Sequence, residues 1–91
     1  MKICVLDGEV LTDQKALHDR LAEDLGFPDW YGRNLDALYD CLTDLAGAEV
    51  VIRRPEAMEH TFGKYAARFM KVLERAAEEN PGFQVKREGS L

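Results

Sequence analysis

Ile3-Cys4-Val5-Leu6-Asp7-Gly8-Glu9-Val10-Leu11-Thr12-Asp13-Gln14-Lys15-Ala16-Leu17-His18-Asp19-Arg20-Leu21-Ala22-Glu23-Asp24-Leu25-Gly26-Phe27-Pro28 carries two hydrophobic patterns in succession, and the change between them decides the fold. The run Ile3 to Leu6 is short, apolar and closed by Asp7-Gly8, the pattern of a buried strand ending in a turn. Leu17, Leu21 and Leu25 then recur at i, i+4 and i+8, which places them on one face of a helix from about Gln14 to Leu25. Thr12 or Asp13 supplies the N-cap oxygen, Gly26 the C-cap, and Pro28 stops the helix from resuming.

The same alternation continues outward from this unit. Asn34 is a candidate N-cap for a helix from Leu35 to about Leu45, ended by Ala46-Gly47. Glu49-Val50-Val51-Ile52-Arg53 has the composition of a second strand. Pro55 opens a short helical turn over Glu56-Ala57-Met58-Glu59, and Gly63 interrupts it. From Lys64 to Glu79 the helical period returns, with Tyr65, Phe69, Val72, Leu73 and Ala76 on one side, and Asn80-Pro81-Gly82 ends it. Phe83 to Lys86 alternates as a third strand, and Arg87 to Leu91 is expected to fray. Strands separated by helices in this order predict an α/β fold, with strands near 2–6, 49–53 and 83–87 in one three-stranded parallel sheet packed against helices. Leu21, Leu38, Leu42, Val51, Phe69 and Val72 are expected between sheet and helices, and Met58 and Met70 are expected to pack with them.

Ninety-one residues, 46% of them hydrophobic, suffice for one domain spanning 1–91 and leave little room for an enclosed cavity, which disfavours a large-cofactor enzyme. Twelve basic against seventeen acidic side chains give a net charge of −5. That sign opposes a polyphosphate ligand and suits a basic protein partner. Cys4 and Cys41 lie too far apart for zinc spacing and are expected as reduced, half-buried thiols. The apolar start is too short for a secretion signal and no later stretch has the length of a membrane span, so the expected location is the cytoplasm.

Function is written on residues 30–45. Advancing about 100° per residue from Leu35 gathers Leu35, Leu38, Leu42 and Leu45 within an arc of about 80°, with Cys41 at its margin. Asp36, Asp40 and Asp44 form the opposite stripe, flanked by Tyr39 and Thr43. Like charges four residues apart cost about 0.2–0.5 kcal/mol per pair, and no Lys or Arg lies between Asn34 and Glu49 to offset them. The preceding loop, Phe27-Pro28-Asp29-Trp30-Tyr31-Gly32-Arg33-Asn34, holds the only tryptophan. Aromatic anchors beside uncompensated carboxylates have the composition of a surface for a cationic site.

Trp30-Tyr31-Gly32-Arg33-Asn34-Leu35-Asp36-Ala37-Leu38-Tyr39-Asp40-Cys41-Leu42 resembles the signature of the barstar family, bacterial inhibitors of guanyl-specific ribonucleases. The resemblance extends to Asp7-Gly8-Glu9, Leu17-His18, Pro28 and the long final helix. It implies a barstar-like sheet packed with helices, and an intracellular, monomeric inhibitor that occludes the active site of a basic, extracellular-type ribonuclease without cofactor, metal or direct nucleic-acid binding. Asp40 would enter the nuclease's phosphate site and Asp36 would meet neighbouring cations. Trp30 and Tyr31 would pack on the rim of the guanine cleft, Tyr39 would add an apolar contact, and Asn34, Leu35, Ala37 and Thr43 would complete the surface, with Asp44 and Glu79 at its edge. Departures from the family pattern are Trp30 and Tyr39, which exchange aromatic types, Asp44-Leu45 in place of Gly-Trp, and Arg75 where the family carries a contacting glutamate.

Two other functions fit the residues less well. Asp36 and Asp40 could hold a hard cation such as Mg²⁺, but no nucleophile, phosphate loop or convergent base accompanies them. His18, at the margin of the first helix's apolar face, has the position of a packed histidine rather than a general base, and His60 that of a solvated one. A barstar-fold module whose partner is not a ribonuclease is the remaining alternative. If the acidic stripe is not structural, neutralising Asp36 or Asp40 relieves repulsion and raises stability by about 0.2–0.5 kcal/mol per pair. Thermal melts of Asp40→Ala check this, and a lower melting temperature than wild type would mark the stripe as structural.

Overall fold

The computed structural model describes residues 1–88. Its elements run β1 (Lys2–Asp7), α1 (Gln14–Leu25), α2 (Leu35–Thr43), β2 (Ala48–Arg53), α3 (Pro55–Phe62), α4 (Lys64–Glu79) and β3 (Phe83–Glu88). The strands form one parallel sheet in the order β1-β2-β3, with Cys4 beside Val50 and Val50 beside Val85. The α/β class and the three parallel strands agree with the sequence. The expected fraying from Arg87 is corrected as far as Glu88, because both residues pair with β2; residues 89–91 lie outside the described residues.

Parallel neighbours are joined by crossovers whose hand is fixed by strand twist. Because the strands advance in one direction across the sheet, both crossovers cover the same face. The burial pattern follows from this. Cys4, Leu6, Ala48, Val50, Ile52 and Phe83 point into the covered face and are buried. Ile3 is exposed on the other face, so the reading of residues 3–6 as a buried strand is corrected to an edge strand with one open face. Val51 is buried but lies outside the main core cluster; it is shielded on the open face by its flanking register partners Val5 and Lys86.

Helix α1 rests on β1, α4 rests on β3, and α2 leans on α4. Leu17, Leu21, Leu38, Leu42, Met58, Phe69 and Leu73 fill the space between. Val72 departs from expectation: it is only partly buried, because it faces the seam between α4 and α2 rather than the sheet. Met70 and Tyr65 are likewise partly buried against the core. Cys4 is wholly buried rather than half-buried, and burial together with the nearby Asp24 carboxylate pushes its thiol up to about 12. Cys41 is intermediate, and both are free.

The caps on α1 are those the sequence indicates. Asp13 accepts from the Ala16 N–H at 2.7 Å, and Gly26 adopts the left-handed conformation at φ 71°. Gly8 is required by close approach: a Cβ there would lie 2.4 Å from the Arg54 carbonyl oxygen and 2.6 Å from the Met58 nitrogen. The turn expected at residues 56–59 is a two-turn helix, α3, because Met58 is buried and Phe62 packs beside Tyr65 at a ring separation of 6.3 Å.

Helix α2 ends at Thr43, two residues before the expected Leu45. Asn80 provides the reason. Its Nδ2 donates to the carbonyls of Leu42 and Leu45, each at 2.8 Å, while its Oδ1 accepts from the Gly82 N–H at 2.9 Å. One side chain thereby satisfies carbonyls left over at the end of α2 and shapes the turn into β3. Asn80→Ala removes the donor to the Leu45 carbonyl and leaves the Leu42 carbonyl with the 3.4 Å bond from the Leu45 N–H, and should destabilise the chain by about 1–3 kcal/mol, read as a lower denaturation midpoint at unchanged m-value.

Candidate functional site

The acidic helix is held from inside and from its N-terminus. Leu38 and Leu42 are buried, and Leu35 and Leu45 pack partly against the core. The Asn34 side chain accepts from the Ala37 N–H at 2.8 Å, as its place in the sequence suggested. Asp36, Asp40 and Asp44 are exposed, Ala37, Tyr39 and Thr43 half-buried. None of the three aspartates forms an ion pair among the described residues. Asp36 lies in the first turn, where the helix dipole favours negative charge and offsets part of its repulsion with Asp40. Asp44 is the C-cap residue, where the dipole does not favour it.

The two loop aromatics go opposite ways. Trp30 is 81% exposed, whereas Tyr31 is 3% exposed. The expectation that both face outward is therefore corrected for Tyr31, and His18 is the reason. The His18 Nδ1 lies 2.5 Å from the Tyr31 hydroxyl, and its Nε2 lies 2.5 Å from the Tyr65 hydroxyl. A neutral imidazole has one donor and one acceptor nitrogen, so one hydroxyl donates to the ring and the other accepts from it. Phe27 packs on Tyr31 at 4.9 Å between ring centres.

Arg33 completes the anchor. It takes up a left-handed conformation at φ 52°, unfavourable for a side-chain-bearing residue, and is held there by its Nε donating to Asp19 at 2.5 Å. Helix α1 thus fixes the loop through His18 and Asp19, and the loop presents Trp30 beside the N-terminus of α2. His18 is a packed histidine, as expected, and His60 is exposed.

Between α2 and α4 runs an open groove of about 480 Å³, lined by Leu35, Asp36, Tyr39, Asp40, Val72 and Arg75. The structure therefore brings Leu35, Asp36, Tyr39 and Asp40 together. It adds Val72 from α4, a residue the helical period predicts in the core. The signal was available as the i, i+3 spacing of Val72 and Arg75 on one helix face. Glu79, one turn beyond Arg75, reaches Tyr39: its hydrogen bond to the hydroxyl, together with its charge and some burial, raises the tyrosine's pKa. Among the described residues no cluster of three or more His, Cys, Asp or Glu side chains has the arrangement of a metal site. No helix there is long and apolar enough to cross a membrane.

Comparison with known proteins agrees with the resemblance seen in residues 30–42. The family model described as Barstar (barnase inhibitor) matches residues 1–88. A protein of Bacillus subtilis (strain 168) named "Putative ribonuclease inhibitor YrdF" is 40% identical over 81 residues, covering 87% of this chain and 89% of that protein.

The His18 anchor has a pH signature. Burial, and secondarily the Arg33 charge, hold its pKa below the ordinary histidine value, with Asp19 partly opposing. Above the ordinary value of about 6.5 the imidazole is neutral in both folded and unfolded chains. Below it the unfolded chain binds the proton first, so stability is lost as pH falls from there through the folded-state pKa. Asp7 and Asp19 have depressed pKa values, so their contribution is lost only in more acidic solution. Denaturation of wild type between pH 7 and 5 should show this loss, and His18→Gln should flatten it. Tyr31→Phe, which removes one hydroxyl partner, should cost about 1–3 kcal/mol at pH 7.

Proposed function

This chain belongs to the barstar family, and from that premise we propose that it is an intracellular protein inhibitor that binds and occludes the active site of a small, basic, guanyl-specific ribonuclease. The observation that carries the reading is the outer face of α2. Asp36 and Asp40 are exposed, without ion-pair partners among the described residues, and fixed on a helix whose other face is buried beside the exposed Trp30. A nuclease cleft built to hold phosphate presents clustered Arg and Lys side chains. Carboxylates on a rigid helix satisfy those charges with little ordering cost and so compete with RNA for them.

In this reading Asp40 enters the phosphate site and Asp36 meets the cations beside it. Trp30 packs on the rim of the base-binding cleft, and Tyr39, Asn34, Leu35, Ala37 and Thr43 complete the contact, with Asp44 and Glu79 at its margin. Tyr31 acts from beneath, by holding the loop that carries Trp30. The inhibitor acts as a single domain, is monomeric when free, works in the cytoplasm and catalyses nothing itself. A partner that is not a ribonuclease is the alternative, and Arg75 is the residue that favours it, since a cation disfavours contact with an entirely basic surface.

Asp40→Ala should weaken binding to a guanyl-specific ribonuclease by about 2–5 kcal/mol, because the enzyme's cations would be desolvated without a counter-charge. Asp44→Ala should cost less than about 1 kcal/mol. Trp30→Ala should act chiefly on the dissociation rate, and Glu79→Gln on the association rate and its salt dependence. Stopped-flow binding and RNA-cleavage inhibition measure all four, and inhibition unchanged by Asp40→Ala would defeat the reading.

A further inference from the structure

Arg75 is the exception within the acidic surface. It lies on α4 and lines the same groove as Asp36 and Asp40, yet it forms an ion pair with neither among the described residues. Five of the other six arginines are paired, Arg20 with Asp24, Arg33 with Asp19, Arg53 with Glu88, Arg54 with Asp7 and Arg87 with Glu74, and the sixth, Arg68, does not line the groove. Glu79, one helical turn away, forms no ion pair with Arg75 among the described residues. The exposed guanidinium of Arg75 therefore stands open beside the groove.

The groove consequently presents two carboxylates on its α2 side and one guanidinium on its α4 side. An occupant complementary to it must carry both signs of charge. A polyphosphate carries only one and would be repelled by Asp36 and Asp40. A surface made only of Lys and Arg would satisfy the aspartates but would desolvate Arg75 against like charge. A basic cleft bordered by a single acidic side chain satisfies all three groups, and the planar guanidinium accepts a carboxylate in two-point geometry.

We propose that Arg75 is a specificity-determining residue that receives an Asp or Glu side chain from the rim of the partner nuclease, so that the chain selects enzymes whose basic cleft has an acidic border. The inference rests on the ribonuclease-inhibitor reading and adds the chemistry of the cognate enzyme. Arg75 is exposed and has no ion pair to lose among the described residues, so its replacement leaves the fold and the aspartates in place.

The test uses two guanyl-specific ribonucleases as probes, one with only Lys and Arg on its active-site rim and one that also carries a carboxylate there. Wild type, Arg75→Ala, Arg75→Glu and Asp40→Ala are compared for affinity and association rate with each. The wild-type chain should prefer the carboxylate-bearing enzyme. Arg75→Glu should lose about tenfold or more against that enzyme and gain about tenfold against the uniformly basic one, with Arg75→Ala between them. Asp40→Ala should weaken both. If Asp40→Ala weakens both while Arg75→Glu shifts them in the same direction or leaves their ratio unchanged, the assignment of Arg75 is overturned and the inhibitor reading stands. If Asp40→Ala changes neither, both are overturned.

Discussion

The consecutive parallel order of three strands governs the rest of the architecture. Once β1, β2 and β3 lie side by side in chain order, the fixed hand of the crossovers sends every helix to one face of the sheet. Three strands offer four helices a narrow face, and the helices share it unequally. Helices α1 and α4 rest on the outer strands, and α2 packs mainly on α4, farther from the sheet. A helix in that position buries one apolar stripe and leaves the opposite stripe facing outward. The acidic face of α2 is therefore presented by topology, with no contribution from the aspartates themselves.

Presentation alone does not make a surface rigid, and two polar devices, one buried at His18 and one half-buried at Asn80, supply the rigidity. At one end of α2, Asn80 satisfies carbonyls of Leu42 and Leu45 from a neighbouring turn. At the other, His18 holds the Tyr31 and Tyr65 hydroxyls, joining α1, the aromatic loop and α4 through one imidazole. Each polar atom in these devices has a partner, and no buried side-chain polar atom among the described residues lacks one. Satisfied buried networks favour one arrangement over its neighbours, because any slip leaves groups unpaired in a medium that cannot solvate them. A surface that must match a partner without reorganising benefits from that discrimination.

The acidic stripe works against this stability. Neighbouring aspartates repel along α2, the dipole relieves Asp36 more than Asp44, and no cation among the described residues pairs with them. The one arginine that lines their groove stands on its α4 wall and forms no ion pair with them among the described residues. The free protein thus carries unspent electrostatic attraction of both signs on one surface, the condition under which a complementary partner gains most.

Element identity was legible in the chain because hydrophobic period, caps and breakers are local. The limits of α1 and α4, the capping roles of Asp13, Gly26 and Asn34, the three strands and the opposed apolar and acidic faces of α2 all follow from residues within a few positions of one another. The barstar-family signature is local too. What required the tertiary structure depends on contacts between residues distant in sequence. Tyr31 turns inward because His18, thirteen residues earlier, offers its hydroxyl a partner. Helix α2 stops early because Asn80 takes its last carbonyls from 35 and 38 positions away. Val72 leaves the core and joins Arg75 in a groove because α2 covers that side of α4. The sequence by itself determined which segments are helices and strands and which faces are apolar or acidic, since backbone periodicity is set by neighbours along the chain. Which polar groups are paired, which aromatic is buried and which charge is left open to a partner were decided only when the chain closed on itself, because burial and hydrogen bonding depend on what packs alongside.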